Sequence, residues 1–290
     1  MGWILIEKPS GLTSMEVTRC VKRLMNVKAA GHAGTLDPLA SGVLPVALGK
    51  TTKLIPFLFK ASKSYSFTVA WGIATTTDDS LGQITQQCSV FPETAAIKDI
   101  LPQWTGWIWQ QPPAYCAAKI QGKRAYRLAK QDPTLSLQPR RIWISDMQLI
   151  KSSRTEASFE ITCGTGTYVR SLARDMARCL GTYGHISQLQ RTRVGLFNLL
   201  QCIRLDFFEK MTHKEREASQ KPPQCVLDDI PVYVLGEKER DALWQGRPVS
   251  CTMTQGSVVA CLYQGDLVAL AKAEGGHLFP SRCFVKEKPL

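Results

Sequence analysis

The chain has 290 residues, 44% hydrophobic and 21% charged, a composition typical of a globular protein and not of a disordered one. Its formal net charge of +12 favours a polyanionic partner, with nucleic acid ahead of a membrane surface, although a merely basic protein fits the charge equally well. In residues 232–290, seven Lys and Arg stand against six Asp and Glu, so +11 of the charge lies on residues 1–231.

The ten cysteines and four histidines form no metal-binding pattern. No pair of cysteines has C-x-x-C spacing, so we expect free thiols, no bound metal and a reducing compartment. The opening MGWILIEKPS contains only a short apolar run, and no run in the chain approaches the length of a membrane span. We therefore expect a cytoplasmic protein that does not associate with a membrane.

Short strands and helices are mixed along the chain. In order, the sequence predicts a strand in WILIEK, a helix in SMEVTRCVKRLMN, a strand in SYSFTVAWG, a helix in PETAAIKDILPQW, strands in RIWISDMQLI and ASFEITCG, and a helix in TYVRSLARDMARCLG. The elements do not alternate in a regular strand–helix–strand rhythm. This favours an α+β fold over a doubly wound sheet.

A polar stretch, residues 209–224, separates the last quarter of the chain from the rest. Its Lys/Glu run and Pro-Pro pair predict a last helix followed by a linker. Beyond it, VVACLYQGDLVALAKAEGG predicts two strands joined at Gln264-Gly265-Asp266, with more short strands after them. We expect this end of the chain to be a small all-β module.

The stretch GHAGTLDPLASG, residues 31–42, places one carboxylate, Asp37, among three glycines. Asp-Pro is a common turn signal, and a lone aspartate in a loop is usually a turn former or a cap. The glycines also allow the backbone to bend closely around a ligand, and Pro38 favours an extended Asp37. From the residues alone, a turn is the better interpretation of Asp37 than catalysis.

Two other motifs carry weaker signals. LGKTT, residues 48–52, ends like a phosphate-binding loop, but Leu44 stands where that loop needs a glycine, which excludes a nucleotide triphosphatase. Arg170, Arg174 and Arg178 follow each other at a spacing of four on the predicted helix after CGTGT. For the last two, a solvated basic stripe is the favoured interpretation, whereas Arg170 lies in the first turn and can reach into a cleft.

GHAGTLDPLASGVLPVALGKTTKL resembles the signature of the bacterial tRNA pseudouridine synthases of the TruB type, which modify uridine 55 of tRNA. Six other segments resemble further motifs of that family, in the same order. They are EKPSGLTS, KSYSF, TTTDDSLGQI, QPPAYCAAKIQGKRAYRLA, which resembles the RNA-clamping segment, CGTGTYVRSLARD and LQRTRVGLF. Two positions depart from the pattern, Ser62 in place of a frequent acid and Gln190 in place of a common arginine. Gln190 puts one phosphate contact in doubt.

This resemblance, over roughly residues 4–197, implies the fold and the domains. It implies an α+β pseudouridine-synthase fold with a mixed, largely antiparallel sheet and a central cleft. The last module resembles a PUA domain, an RNA-binding β-barrel. We accordingly expect a catalytic domain in residues 1–228 and a PUA-like domain in residues 229–290.

The resemblance also implies the site residues. Asp37 matches the family's nucleophile, Tyr65 its base-stacking tyrosine and Arg170 its buried arginine. The substrate-binding positions fall on Leu189, the apolar wall of the uridine pocket, on His32, which occupies the space of the flipped nucleotide, and on Tyr168. Without the resemblance, Tyr65 and Leu189 would be ordinary core residues.

The implied activity is the isomerisation of a uridine in the T-arm loop of tRNA, on a flipped-out nucleotide. The reaction needs no cofactor, and we expect a monomer whose partner is the T-arm stem-loop and which has no obligate protein partner. One alternative is an RNA-guided rRNA pseudouridine synthase of the archaeal and eukaryotic branch. Another is a non-catalytic tRNA-binding or folding factor in which Asp37 only shapes a turn.

Overall fold

The strands and helices predicted before residue 181 are confirmed in the computed structural model, which describes residues 1–116, 119–120, 122–129, 131–132 and 135–284. The strands are β1 (Gly2–Lys8), β2 (Ala30–His32), β3 (Ser41–Leu48), β4 (Lys63–Trp71), β5 (Ile73–Thr75), β6 (Ile84–Gln87), β7 (Gly106–Gln110), β8 (Lys119–Ile120), β9 (Lys123–Arg124), β10 (Arg140–Ser152), β11 (Glu156–Cys163), β12 (Gly184–Val194), β13 (Phe197–Asn198), β14 (Ile203–Arg204), β15 (Val232–Val234), β16 (Val249–Ser250), β17 (Val258–Tyr263), β18 (Asp266–Glu274) and β19 (His277–Cys283). The helices are α1 (Ser14–Leu24), α2 (Ile55–Lys60), α3 (Thr94–Ile100), α4 (Ala125–Ala129), α5 (Val169–Cys179), α6 (Leu205–Lys210), α7 (His213–Ala218) and α8 (Glu237–Trp244). Part of the predicted RNA-clamping segment, residues 117, 118 and 121, lies outside the described residues.

The main sheet has the strand order β14-β1-β3-β12-β4-β11-β10-β7, with β2 beside β3 and β13 beside β12. The pairs β1–β14 and β3–β12 are parallel, and the other pairs in this sheet are antiparallel. The expected α+β class with a mixed, largely antiparallel sheet is therefore confirmed. Because β3 and β12 are neighbours, the loop before β3 lies close to the centre of the sheet.

One face of this sheet is covered by α5 and carries the larger core. Alternate residues of β4, Phe67, Val69 and Trp71, are buried on this face, as the period of a strand requires. The apolar residues of α5 recur at helical spacing and pack onto them: Val169, Leu172, Ala173, Met176 and Ala177. We call this the core face, and it places the first turn of α5 over the central strands.

The C-terminal module is built on a five-stranded sheet, which confirms the predicted small β domain, but it also contains one helix, α8, that the sequence did not predict. Its strands follow the order β15-β17-β18-β19-β16, and the predicted hairpin turns at Gln264 and Gly265, both with positive φ. Helix α8 begins after Gly236, whose backbone N–H donates to the Glu239 carboxylate at 2.7 Å. Acidic residues in the first turn of α8 favour the start of a helix. The strong strand pattern of the residues that follow obscured this signal.

The segment after α7 is bound to the body and is not a free linker. Helix α7 itself was predicted, and a capping box of Thr212 and Glu215 begins it. Beyond the helix, Lys221 exchanges two backbone hydrogen bonds with Trp3 at 2.8 and 2.9 Å, and the Trp3 indole N–H donates to the Pro223 carbonyl at 3.1 Å. These bonds fix the chain against β1 before it enters the C-terminal module.

Apolar contacts join the C-terminal module to the body. Buried residues of both parts form one cluster, which includes Trp3, Leu54 and Leu58 of the body and Leu267, Leu270 and Phe284 of the module. The ten cysteines are free, as expected. In the described part of the chain, no helix is long and apolar enough to cross a membrane.

Candidate active site

Asp37 lies in the loop between β2 and β3, with its backbone in a turn and its side chain in an ion pair. The Asp37 carbonyl accepts the Ala40 N–H at 3.1 Å, so the turn that Asp-Pro predicted is present. The carboxylate accepts two hydrogen bonds from Arg170, Oδ2 from Nε at 2.8 Å and Oδ1 from Nη2 at 3.1 Å. The residue therefore forms a turn and presents a charged group at the same time.

Arg170 is the most constrained side chain of this site. It is 4% exposed, and besides Asp37 it donates to the backbone carbonyls of Thr77 at 2.7 Å and Tyr115 at 2.9 Å. Burial lowers the pKa of Arg170, but the charges of Asp37 and Asp79 outweigh burial and raise that pKa above its ordinary value. The guanidinium thus stays charged and binds the Asp37 carboxylate through two parallel hydrogen bonds. The side chain of Asp37 is 35% exposed.

A second carboxylate, that of Asp79, lies close to the Arg170 guanidinium and helps to balance its charge. It is 4% exposed, and its Oδ2 lies 3.8 Å from Arg170 Nε. Its Oδ1 accepts the Thr77 hydroxyl at 2.6 Å and the Leu81 N–H at 3.1 Å. Sequence reasoning assigned no role to Asp79, because an aspartate between turn residues has the signature of a loop.

Arg174, one turn further along α5, was predicted to be solvated, and this was wrong. Its side chain is 14% exposed and pairs with Asp78 at 3.1 Å and with Asp175 at 2.8 Å. Burial raises the pKa of Asp78, and the Arg174 charge partly offsets that rise. Arg178 is 66% exposed, so the prediction of a solvated side chain is confirmed for this residue only.

Tyr65 and Leu189 reach the same core face beside the Asp37 loop. Leu189 on β12 pairs with Phe67 on β4, and Tyr65 pairs with Arg191 in the same ladder. Leu189 is 8% exposed, and the half-buried Tyr65 packs against the cluster that also contains Leu36. Burial raises the pKa of Tyr65, with a smaller contribution in the same direction from the Asp37 charge. The structure therefore brings both predicted residues to the side of Asp37.

Sequence reasoning missed Arg191, a buried guanidinium beneath the Asp37 loop. It is 1% exposed, and it donates through Nε to the Val43 carbonyl and through Nη2 to the Gly34 carbonyl, both at 2.9 Å. It lies opposite Tyr65 in the β12–β4 ladder, and among the described residues no carboxylate pairs with it. Burial lowers the pKa of Arg191. The Arg191 side chain therefore links the loop to β3 through hydrogen bonds and lies next to Tyr65.

The glycines of the loop face protein atoms, which corrects the expectation that they make room for a nucleotide. A Cβ on Gly42, which has φ +106°, would lie 2.2 Å from the Arg191 carbonyl oxygen. A Cβ on Gly34 would lie 3.0 Å from Arg191 Nη1, and one on Gly31 would lie 2.9 Å from Ile55. Gly34 and Gly42 therefore let the chain close over Arg191, whereas Gly31 packs against Ile55.

Lys8 is a second buried cation at the loop. It is fully buried at the end of β1, and its ammonium donates to the carbonyls of Leu12 at 2.5 Å, Pro9 at 2.8 Å and Pro38 at 3.4 Å. Burial lowers the pKa of Lys8 to about 8, against the opposing charge of Asp37. The ammonium fixes the residue that directly follows Asp37.

His32 and Tyr168 lie at the edges of the site. The His32 ring nitrogens lie 2.9 Å from the Thr18 hydroxyl and 3.3 Å from the Thr35 hydroxyl, and burial lowers the pKa of His32. Tyr168 immediately precedes α5 and exchanges two hydrogen bonds with the side chain of Gln110 through its backbone. Burial raises the pKa of Tyr168 to about 12, and Arg140 lies over its ring at 4.8 Å.

The arrangement suits a reaction that needs one fixed carboxylate. Asp37 is held by a guanidinium that cannot release its proton, next to an aromatic ring and an apolar side chain. Such a site can attack or deprotonate a ligand that stacks on the ring. In the described part of the chain, no group of three or more His, Cys, Asp or Glu side chains could hold a metal ion.

Comparison with known proteins gives consistent matches over nearly the whole chain. Residues 22–169 match the model of the TruB family pseudouridylate synthase N-terminal domain, and residues 170–230 match that of the tRNA pseudouridylate synthase B C-terminal domain. A tRNA pseudouridine synthase B of Bradyrhizobium diazoefficiens is 44% identical, with 98% of this chain and 85% of the relative covered. One of Rhodospirillum rubrum is 41% identical, with 97% and 95% covered.

Solved structures share the fold at lower identity. A structure described as an H/ACA RNP bound to a substrate RNA containing 2′-deoxyuridine has a TM-score of 0.72 and 24% identity, and the match covers 98% of this chain and 85% of that chain. At that identity the likeness shows the fold alone.

Proposed function

Because the chain belongs to the TruB family of pseudouridylate synthases and is a pseudouridine synthase, we propose that its substrate is tRNA and its target uridine 55 in the T-arm loop. The relatives' names support tRNA as the substrate. The net charge of +11 on residues 1–231 supports a polyanion bound to the body of the protein. We propose that a single chain acts without a guide RNA and without a protein partner.

The single observation that carries a catalytic role is the bidentate ion pair of Asp37 and Arg170. The isomerisation breaks the bond from ribose C1′ to N1 of uracil and forms a bond from C1′ to C5 of the same base. No electrons are gained or lost, and the proton on C5 moves to N1. The protein must supply a carboxylate at the sugar, and Arg170 orients the carboxylate of Asp37 through two hydrogen bonds.

Two chemical roles for Asp37 fit this geometry. In one, the carboxylate attacks C1′ and forms an ester that the rotated base displaces. In the other, the carboxylate removes the 2′ proton while uracil leaves C1′ as an anion, which gives a glycal; C5 of the rotated base then bonds to C1′ as the proton returns to C2′. Both need the 35% exposed carboxylate to face the ribose, and neither needs a redox partner.

The neighbouring residues would bind the extruded uridine. Flipping a base out of a folded RNA arm costs a few kcal/mol of lost stacking. Stacking on the Tyr65 ring would recover about 1–3 kcal/mol, and Leu189 would form the apolar wall beside it. In this proposal, His32 and Tyr168 line the approach to the pocket, and Arg191 and Lys8 keep the loop in shape.

The Asp37→Asn variant tests this proposal. Asparagine keeps the size of the side chain and suits the same turn, but it removes the charge and the nucleophile. We expect the single-turnover rate of pseudouridine formation on unmodified tRNA to fall more than ~10⁴-fold, with tRNA affinity retained. The exposed Asp99→Asn variant is the matched control and should keep the full rate.

If the Asp37→Asn variant turns over at a near-normal rate, Asp37 is a turn former and the catalytic role is wrong. Loss of binding together with folding, seen as an early melting transition, would assign Asp37 to the loop as well.

A further inference from the structure

Three tryptophans and one arginine lie exposed on the edge of the main sheet. Trp107 and Trp109 of β7 are 61% and 68% exposed, and Trp143 of β10 is 42% exposed. In the antiparallel ladder Trp143 pairs with Trp107 and Arg141 pairs with Trp109, so all four side chains lie on one face. We call these four residues the tryptophan surface.

The tryptophan surface contributes little to the core. The alternate residues Ile108, Ile142 and Ile144 turn to the other face, where the two from β10 are buried and Ile108 packs against the core cluster. Two ring contacts link the side chains of the surface. The Trp107 and Trp143 rings lie 5.5 Å apart, and the Arg141 guanidinium lies 5.1 Å from the Trp107 ring. A cluster of exposed aromatic residues of this size is typical of a binding surface.

The charge of the body that carries the surface favours RNA over a protein as its occupant. Arg141 is exposed within the surface, and residues 1–231, to which the surface belongs, carry a net charge of +11. Nucleobases stack on tryptophan and arginine, and the basic side chains can face phosphates. An apolar protein partner would not need this excess of positive charge.

The placement shows which part of an RNA the surface can reach. The core face carries Tyr65, Leu189 and the Asp37 loop, whereas the tryptophan surface lies on the opposite face of the same sheet. The surface therefore cannot stack on the flipped uridine. Strand β7 ends at Gln110, whose side chain holds the backbone of Tyr168 just before α5, so the strand that carries Trp107 and Trp109 also borders the site.

We propose that the tryptophan surface binds an unpaired nucleotide of the RNA substrate, outside the pocket of the target uridine, by stacking on Trp107 and Trp109. The proposal rests on the proposed tRNA substrate. The surface adds affinity for the folded RNA and takes no part in the chemical step, so its loss should change binding and leave the rate at saturating RNA unchanged.

The test compares the Trp107→Ala/Trp109→Ala double variant with wild type in filter binding of a full-length unmodified tRNA transcript. We expect the Kd to rise about 10-fold or more, and the single-turnover rate at saturating tRNA to stay within ~2-fold. The Trp107→Phe/Trp109→Phe variant keeps aromatic faces and should recover most of the affinity. Phe207→Ala is the matched control, because Phe207 is 58% exposed and lies beside Arg204.

Several outcomes would overturn the proposal. These are an unchanged Kd, an equal loss of affinity in the Phe207→Ala variant, or a lower rate at saturating tRNA. A wild-type dimer that the double variant converts to monomer in sedimentation would identify the surface as an interface between copies of this chain. Absence of pseudouridine formation by the wild type would refute the proposed function instead. The comparison of Kd values would then still test whether the tryptophan surface binds RNA.

Discussion

The two sides of the candidate site each contain a buried guanidinium, but the two have different partners. On the α5 side, Arg170 pairs with the carboxylate of Asp37 and lies close to that of Asp79. On the β12 side, Arg191 donates to two backbone carbonyls and has no carboxylate partner in the described part of the chain. Arg170 therefore holds the charged side chain of Asp37, whereas Arg191 fixes the backbone of the loop and of β3.

This difference indicates how the site divides its work. A reactive carboxylate needs a partner that fixes its position, and Arg170 does so through two hydrogen bonds to Asp37. The backbone of the loop between β2 and β3 is held in addition by Arg191, which donates to the Gly34 carbonyl, and by Lys8, which donates to the Pro38 carbonyl. Loss of Arg170 should therefore appear in the rate as well as in stability, since Arg170 also donates to the carbonyls of Thr77 and Tyr115, whereas loss of Arg191 should appear mainly in stability.

The largest effect is expected for Arg170→Met. The variant removes both hydrogen bonds to Asp37 and the positive charge beside it, and we expect the single-turnover rate at saturating tRNA to fall about 100-fold or more. Arg178→Met, two turns along the same helix and on an exposed residue, is the control and should keep the rate. A rate within ~3-fold of wild type in the Arg170 variant would show that the ion pair is not needed for chemistry.

Arg191→Met should lower the free energy of unfolding by about 2–4 kcal/mol, because two buried carbonyls lose their donors and each costs about 1–3 kcal/mol. Urea unfolding is the measurement. Arg193→Met, on the same strand and exposed, is the matched control and should change stability by less than ~0.5 kcal/mol. Equal stability of the two variants would contradict the role of Arg191 as a clamp on the loop.

Lys8 gives a smaller effect that depends on pH. Its pKa is about 8 in the folded protein against an ordinary value of 10.5. Between these values the unfolded chain binds more protons, so the Lys8 contribution to the free energy of unfolding rises as the pH rises. We expect the stability of wild type relative to Lys8→Met to rise by about 1–2 kcal/mol from pH 7.5 to 9.5.

The control for this pH dependence is Lys60→Met, since Lys60 is exposed and its ammonium has no burial to relieve. Its difference from wild type should stay constant over the same range. A flat difference for Lys8 as well would mean that the ammonium is not desolvated in the folded protein.

The fold was largely predictable from the sequence, because alternation and helical spacing directly report which residues are buried. The apolar residues of α5 and the strand β4 are examples. Helix α8 was missed, since its eight residues have little apolar periodicity and lie beside strong strand signals. The linker after α7 was misjudged because its hydrogen bonds to Trp3 join residues that are far apart in sequence.

The site was only partly predictable. Asp37 and Arg170 are 133 residues apart, so their contact followed from family resemblance and not from spacing. Arg174, Arg191 and Lys8 are charged side chains in buried positions, and a sequence pattern assigns charge to the surface. Only the packing of β3 against β12 shows that Gly42 faces Arg191 and no ligand.

The central claim is most directly tested by mapping pseudouridine in a full-length unmodified tRNA transcript after incubation with the purified chain alone. We predict one modified residue, at uridine 55, with no guide RNA or second protein added. A transcript with cytidine at position 55 should remain unmodified. Pseudouridine at other positions, or a product only after a guide RNA is added, would contradict this account.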